Sequence, residues 1–534
     1  MKHKELKSGM THAFGRIPGV SIPRSTFNLS HRHKTSFDAG FLIPVLCKEV
    51  NPGETWNVGM SGFARLTTAI KPTMDNMYLD THFFFVPKRL IWQNWEKFCG
   101  AQTDPGDSTD YTVPTVQAFT NTTGYIADYF GLPLTAGATM APVALPFRAY
   151  NLIWNDWFRD QNLQDSVTVP TNDGPDNSNN FALLRRGKRH DYFTSCLPWP
   201  QKSDDGAVTL PLGTTAPVLN DSTVTDPWLV RRSSDDSLRD VTGLTSDASG
   251  QLEDSGDATV DLKMDPNGGL YTDLNSASGA TINALREAVQ VQVMYERDAR
   301  GGTRYVEILR SHFGITNHPD ARLQRPEYLG GGSSPVNMHP VPQLTASPAT
   351  PTTTDAQGNL AAFATASMEG HGFVKSFVEH GYIIGLASVR ADLSYQQGIE
   401  RMWSRSTRFD FYWPGLAQLG EQEVLNKEIF FSEVQATDDA AFGYQERYAE
   451  YRYGNSMITG KMRSDASGTL DVWHLAQDFA SLPALDSDFI EEDPPVDRIV
   501  AVTTEPHFIF DAYFDIKAAR PMPLYGIPQL GSRF

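Results

Sequence analysis

His31-Arg32-His33 is the first group in the chain that could do chemistry, because it sets two imidazoles at strand spacing on one face. Two histidines with no cysteine partner make half a zinc site, and the pair reads as structural or solvated. Leu329-Gly330-Gly331-Gly332-Ser333 has the glycines of a phosphate loop but lacks its lysine and any strand–loop–helix frame, so it reads as a flexible connection. Carboxylates crowd residues 203–276, but scattered acids on a polar stretch give solubility and not a paired acid and base. Calcium would need a D-x-D-x-D-G loop, and there is none. GxSxG, HExxH and nucleotide-binding patterns are also missing. The sequence therefore predicts no catalytic residues, no metal ligands and no cofactor. One carbohydrate reading stays open, in which an exposed aromatic such as Trp228, or a carboxylate pair, serves a glycan-binding or glycan-cleaving sandwich.

Candidate elements follow from periodicity. Met77 to Val86 alternates and then turns apolar on both faces, predicting a strand that enters the core from an edge. Pro87 ends it, and Ile91, Trp92, Trp95, Phe98 and Cys99 recur at helical spacing up to Gly100. Residues 36–50 predict one strand, Asn51 to Thr55 a turn, and Phe63 to Ile70 another strand. Phe147 to Arg159 predicts a helix with Tyr150, Trp154 and Trp157 on one face, its aromatics read as core. Thr281 to Arg297 and Arg304 to Phe313 predict two more helices, and 333–367 a long loop. Tyr382 to Arg390, Thr407 to Tyr412 and His507 to Lys517 read as strands, the last alternating cleanly from end to end. Strands set between long irregular loops with few helices predict a mainly β sandwich.

Charge divides the 534-residue chain. Its net charge is −18. Residues 1–36 nevertheless carry Lys2, Lys4, Lys7, Arg16, Arg24, Arg32 and Lys34 against Glu5 alone. Residues 203–276 carry 14 Asp or Glu and four Lys or Arg, an excess of 14 − 4 = 10 negative charges. A basic arm over 1–35 and an acidic, solvent-exposed insertion over 203–276 point to two surfaces in different environments. The arm reads either as a disordered tail or as an arm on an inner surface near nucleic acid. Core segments are expected at 36–202 and 277–534. Cys47, Cys99 and Cys196 are far apart and odd in number, which fits a reducing cytoplasm. No apolar run approaches the roughly 20 residues of a membrane span.

Several long stretches resemble one family. They are SHRHKTSFDAG from Ser30, LDTHFFFVP from Leu79, LPFRAYNLIWNDWFRDQNLQD from Leu145, RHDYFTSCLPWPQK from Arg189, ARGGTRYVEILRSHFGI from Ala299, RPEYLGG from Arg325 and PLYGIPQLGSRF from Pro523. Together they are similar to the major capsid proteins of the Microviridae, in the gokushovirus branch. The resemblance covers most of the chain except 203–276 and parts of 101–140. It implies an eight-stranded viral jelly roll with long loop insertions containing short helices. It further implies a homo-oligomer of sixty copies, a T=1 shell enclosing circular single-stranded DNA in a bacteriophage. The implied partners are that genome, a small basic DNA-packaging protein and a receptor on the bacterial surface. The implied location is the virion, assembled in host cytoplasm. The acidic segment, where this sequence departs from the common text, is then the candidate three-fold surface projection, with Trp228, Arg231, Arg232, Asp235 and Asp236 as host-contact residues. Lys2, Lys4, Lys7 and Arg16 are the candidate interior DNA contacts.

Overall fold

The computed structural model describes residues 23–202, 323–345, 347–350, 353–355 and 357–525. Between 203 and 322 it describes 218–220, 230–232, 237–239, 244–246, 252–254, 257–264, 270–272, 282–301 and 311. Two compact units divide the chain, residues 1–200 with 315–534 and residues 201–314.

The first unit is built on antiparallel strands β1 (Ser25–Asn28), β2 (His31–Phe37), β3 (Ile43–Val50), β4 (Thr55–Leu66), β5 (Met77–Pro87), β6 (Glu327–Pro342), β7 (Leu360–Ser376), β8 (Gly381–Ala391) and β9 (Phe508–Arg520). Their order is β1-β9-β4-β7-β6-β5-β8-β3, with β2 also on β9. β1 and β2 pair with successive stretches of β9, so they form one edge strand broken at Leu29 and Ser30. Merging them leaves 9 − 1 = 8 strands. β6 pairs with β5 through Glu327–Val336 and with β7 through Asn337–Pro342. It thus links two four-stranded halves, β2-β9-β4-β7 and β6-β5-β8-β3, which is the pairing of a curled eight-stranded jelly roll.

The inner faces of both halves share one core. Trp56, Met60, Phe508, Phe510 and Phe514 come from the first half, and Phe83, Phe85, Ile383 and Val389 from the second. The outer face of the second half carries a further apolar layer. Phe84, Val86, Ile384 and Leu386 pack with Ile91, Trp92 and the helix α1 (Leu145–Ile153). β5 is therefore buried on both faces, which explains why its alternation gives way to three consecutive phenylalanines. Arg148 of α1 fixes this layer. Its guanidinium donates to both Asp176 oxygens at 2.7 and 2.6 Å and to the carbonyls of Ile91 and Asn172, each at 2.9 Å. Arg148 and Asp176 are both fully buried.

Asp80 ties β5 to its surroundings. One of its oxygens accepts from Arg186 at 2.7 Å and from Arg390 at 2.8 Å. Burial alone would raise its pKa, but the hydrogen bond from Ser333 and the two guanidinium groups hold the carboxyl below the usual range. Gly331 lets β6 approach β5, and Gly332 makes room for the His371 ring of β7. A Cβ on Gly331 would lie 2.0 Å from the Thr81 carbonyl oxygen, and one on Gly332 2.5 Å from the His371 ring.

Met77–Pro87, Gly381–Ala391 and Phe508–Arg520 match the strands expected from periodicity, and Ile282–Gly301 the expected helix. Other expectations need correction. Residues 36–50 are not one strand, because Gly40, at φ +85°, breaks the run between β2 and β3. β4 starts at Thr55, eight residues before the expected Phe63. The segment after Pro87 is two single helical turns, Lys88–Ile91 and Trp95–Phe98. The helix from Leu145 changes to a π turn over Trp154–Phe158. The triple-glycine connection is strand, and the loop expected over 333–367 holds most of β6 and the start of β7. Thr407–Tyr412 is not strand: Asp410 curls it by accepting from the backbone amides of Ser406 (2.9 Å) and Thr407 (2.7 Å). The helix expected at Arg304–Phe313 lies outside the described residues, apart from Ser311.

The second unit holds a five-stranded sheet, in order Leu238–Arg239, Val230–Arg232, Asp257–Met264, Leu252–Asp254, Leu244–Ser246. It also holds the pair Val218–Asn220 and Leu270–Thr272 and the helix α2 (Ile282–Gly301). Of its residues, Val230 and Leu262 are buried. The acidic stretch 203–276 falls inside this unit, which extends beyond it to take in α2.

Candidate functional site

A dense exposed apolar surface of the first unit lies on the segment from Arg401 to Leu419 and the neighbouring Tyr451–Met457. Met402, Trp403, Phe409, Phe411, Tyr412, Trp413, Leu419, Tyr451, Tyr453 and Met457 are all exposed. A chain that worked alone would rarely leave so many large apolar side chains together in water.

The loop is rigidly held despite its exposure. Tyr448, at φ +62°, donates its hydroxyl to the carbonyls of Phe411 (3.0 Å) and Phe409 (3.3 Å). The Trp413 indole donates to the Arg408 carbonyl at 2.8 Å. Arginines are interleaved with the rings. Arg405 lies 4.6 Å from the Tyr451 centroid and pairs with Glu450 at 3.2 Å. Arg408 sits 5.2 Å from the Phe409 ring and 5.5 Å from the Trp413 ring. Such cation–π contacts hold long side chains flat against the surface and lower the ordering cost of a later contact.

A cavity of about 360 Å³ opens beside this surface, lined by Tyr192, Phe193, Tyr395, Arg401, Glu428 and Tyr453 among others. Its polar groups are already engaged. Glu428 accepts from Arg401 at 2.8 Å, from the Tyr192 hydroxyl at 2.8 Å and from the Leu425 amide at 2.9 Å. Burial pushes the Glu428 carboxyl up, while Arg401 and these hydrogen bonds oppose the shift. The Tyr395 hydroxyl donates to Asp191 at 2.6 Å, and burial with that charge drives its pKa upward. This is the chemistry of a structural polar network and not of a nucleophile with a base. Among the described residues no cluster of three or more His, Cys, Asp or Glu side chains is placed to hold a metal ion. No described helix is long and apolar enough to cross a membrane.

Lys2, Lys4, Lys7 and Arg16 lie outside the described residues, as do Trp228, Asp235 and Asp236. Arg231 and Arg232 lie on Val230–Arg232, paired with Asp257–Met264. His31 and His33 are on β2, and burial lowers the His33 pKa. The aromatic–arginine surface was missed as a site from sequence. Its signal was the run Arg401-Met402-Trp403 through Arg405 and Arg408 to Phe411-Tyr412-Trp413, the residue types enriched at interface centres.

Two features now stand together: an eight-stranded jelly roll and a rigid exposed aromatic surface suited to other chains. Residues 15–530 match the family described as "Capsid protein (F protein)". The chain belongs to this phage capsid protein family. It is 49% identical over 537 residues to capsid protein VP1 of Bdellovibrio phage phiMH2K, covering 98% of each chain. Identity is 40% over 599 residues to capsid protein VP1 of Chlamydia phage 1, covering 99% of each. It is 38% over 562 residues to that of Spiroplasma virus 4, covering 99% of this chain and 100% of the relative. The resemblance to gokushovirus-type Microviridae capsid proteins therefore holds. This capsid protein is a structural subunit of an oligomeric shell and not an enzyme.

Proposed function

We propose that this chain is the shell subunit of a small single-stranded DNA phage, sixty copies closing a T=1 icosahedron around a circular genome. The observation that carries the reading is the rigid exposed surface of Trp403, Phe409, Phe411, Tyr412 and Trp413, which needs a second chain to cover it. A shell of uniformly acidic subunits, each at −18, would repel phosphate. The proposed arrangement turns the acidic segment 203–276 outward, as a three-fold projection contacting a receptor on the bacterial surface through residues such as Trp228, Arg231, Arg232, Asp235 and Asp236. The basic arm with Lys2, Lys4, Lys7 and Arg16 turns inward to the genome. A small basic packaging protein supplies further positive charge, and assembly takes place in the host cytoplasm.

Sedimentation and nuclease protection test this reading. Purified chain should form a single fast-sedimenting species whose DNA resists nuclease. Removing residues 1–16 should lower the DNA content of those particles. A chain that stays a monomer or dimer, whatever its concentration, would refute the shell, and unchanged DNA content would refute the arm's role.

A further inference from the structure

The two halves of the jelly roll are treated differently on their outer faces. The β6-β5-β8-β3 half carries the α1 layer. The β2-β9-β4-β7 half has no such layer among the described residues, and its outward side chains are exposed or half-buried. Outward positions on its strands are mostly small or polar, among them Ser36, Ser61, Thr365 and Ser367. Across that open face runs a diagonal track of larger side chains, with Ile509 and Val374 also exposed on the same face.

The register fixes the track. Arg32 on β2 stands directly opposite Tyr513 on β9. Phe63 on β4 is paired with Asp511, which makes it the diagonal neighbour of Tyr513, at the roughly 7–8 Å of such pairs. Arg65 follows two residues along β4 on the same face. It is diagonal to Phe363 on β7, and its guanidinium lies 6.0 Å from that ring. His339 on β6 stands opposite Phe363 and stacks on it, with ring centroids 5.0 Å apart and planes 28° apart. Cation, ring, ring, cation, ring and imidazole thus cross five strands in one diagonal line. Tyr513 and Phe63 are 44% and 48% exposed.

We propose that this open sheet face is a binding platform for single-stranded DNA, with bases stacked on Tyr513, Phe63 and Phe363 and phosphates held by Arg32 and Arg65. The inference rests on the reading that the shell encloses such a genome, and it names a surface for it distinct from the arm. Charge complementarity favours a polyanion over another copy of this acidic chain. The face presents Arg32, Lys34, Arg65 and Lys517 against Asp511, Asp515 and Glu369, and Lys34 lies 3.8 Å from Asp511. Neither Arg32 nor Lys517 forms an ion pair among the described residues. Exposed aromatics separated by small residues and flanked by cations bind single strands without reading sequence.

The test titrates the full-length unassembled subunit into a labelled oligothymidylate of about twenty residues across a salt series. Phe63→Ser with Tyr513→Ser should weaken binding on the order of tenfold per ring lost. Arg32→Gln with Arg65→Gln should flatten the slope of log K against log salt by about 0.7 per cation, about 1.4 together. Phe63→Tyr with Tyr513→Phe should bind like the parent. All these side chains lie outside the core, so melting temperatures should hold. Parent-like affinity and slope in both double variants overturn the proposal. So does parent-like DNA binding combined with loss of particles, since the face would then be a contact between copies. Failure of the parent to form shells refutes the shell reading, but leaves the comparison of slopes still decisive for this face.

Discussion

Truncating Trp403 tests the assembly surface directly. Its side chain is 74% exposed. An aromatic side chain buries on the order of 150–250 Å², so covering the exposed part removes roughly 110–190 Å² from water. At about 25 cal/mol per Å² that is about 3–5 kcal/mol, an upper bound because a neighbouring chain does not cover every atom. Trp403→Ala should therefore weaken each subunit contact by about 2–4 kcal/mol, as anchors at interface centres do. Light scattering over a concentration series reads this as a rise of at least about 30-fold in the concentration needed for assembly. The urea midpoint of the unassembled subunit should not change, because Trp403 belongs to none of its cores. An assembly threshold within about twofold of the parent, with the fold intact, would refute the assignment of this surface.

Three further outcomes follow from the geometry. Arg148→Met strands a buried carboxylate and should cost about 3–5 kcal/mol in urea unfolding, while Arg148→Met with Asp176→Leu should recover most of it; a single variant within about 1 kcal/mol of the parent contradicts the pair's role. His82 is kept neutral by burial first and Arg186 second, with a pKa lowered from 6.5 to about 4. Stability resting on neutral His82 is complete above about pH 6.5 and lost as pH falls to about 4, a loss of about 3 kcal/mol that His82→Phe should abolish in melts across that range. Deleting 210–270 should leave the first unit folded and reduce particle attachment to host cells; an insoluble product, or undiminished attachment, would contradict the projection.

Much of the fold was legible where burial and backbone chemistry agree. β9 alternates without a fault because one face meets the core and the other is open, and β5 announced its second covering layer through Phe83-Phe84-Phe85. Two of the misses share one cause, tertiary contact overriding local preference. Gly330-Gly331-Gly332 reads as a loop in isolation, yet β6 needs those glycines because the Gly372 carbonyl, the Thr81 carbonyl and the His371 ring in turn leave no room for a Cβ. β7 opens with Leu-Ala-Ala-Phe-Ala, a stretch with little β-branched character, and is a strand because β4 and β6 flank it. The aromatic surface was hidden for the opposite reason. Phe409-Asp410-Phe411 alternates like a strand, but Asp410 takes two backbone amides and turns the chain outward. The track on the open sheet face was not visible at all, because it depends on the register of five strands distant in sequence.

Whether this chain closes a shell is decided by a single-particle reconstruction of the purified protein. Uniform icosahedral particles are expected, with the Trp403–Trp413 surface covered by a neighbouring copy. A reconstruction of isolated subunits, or of a shell in which that surface stays in open solvent, would contradict it.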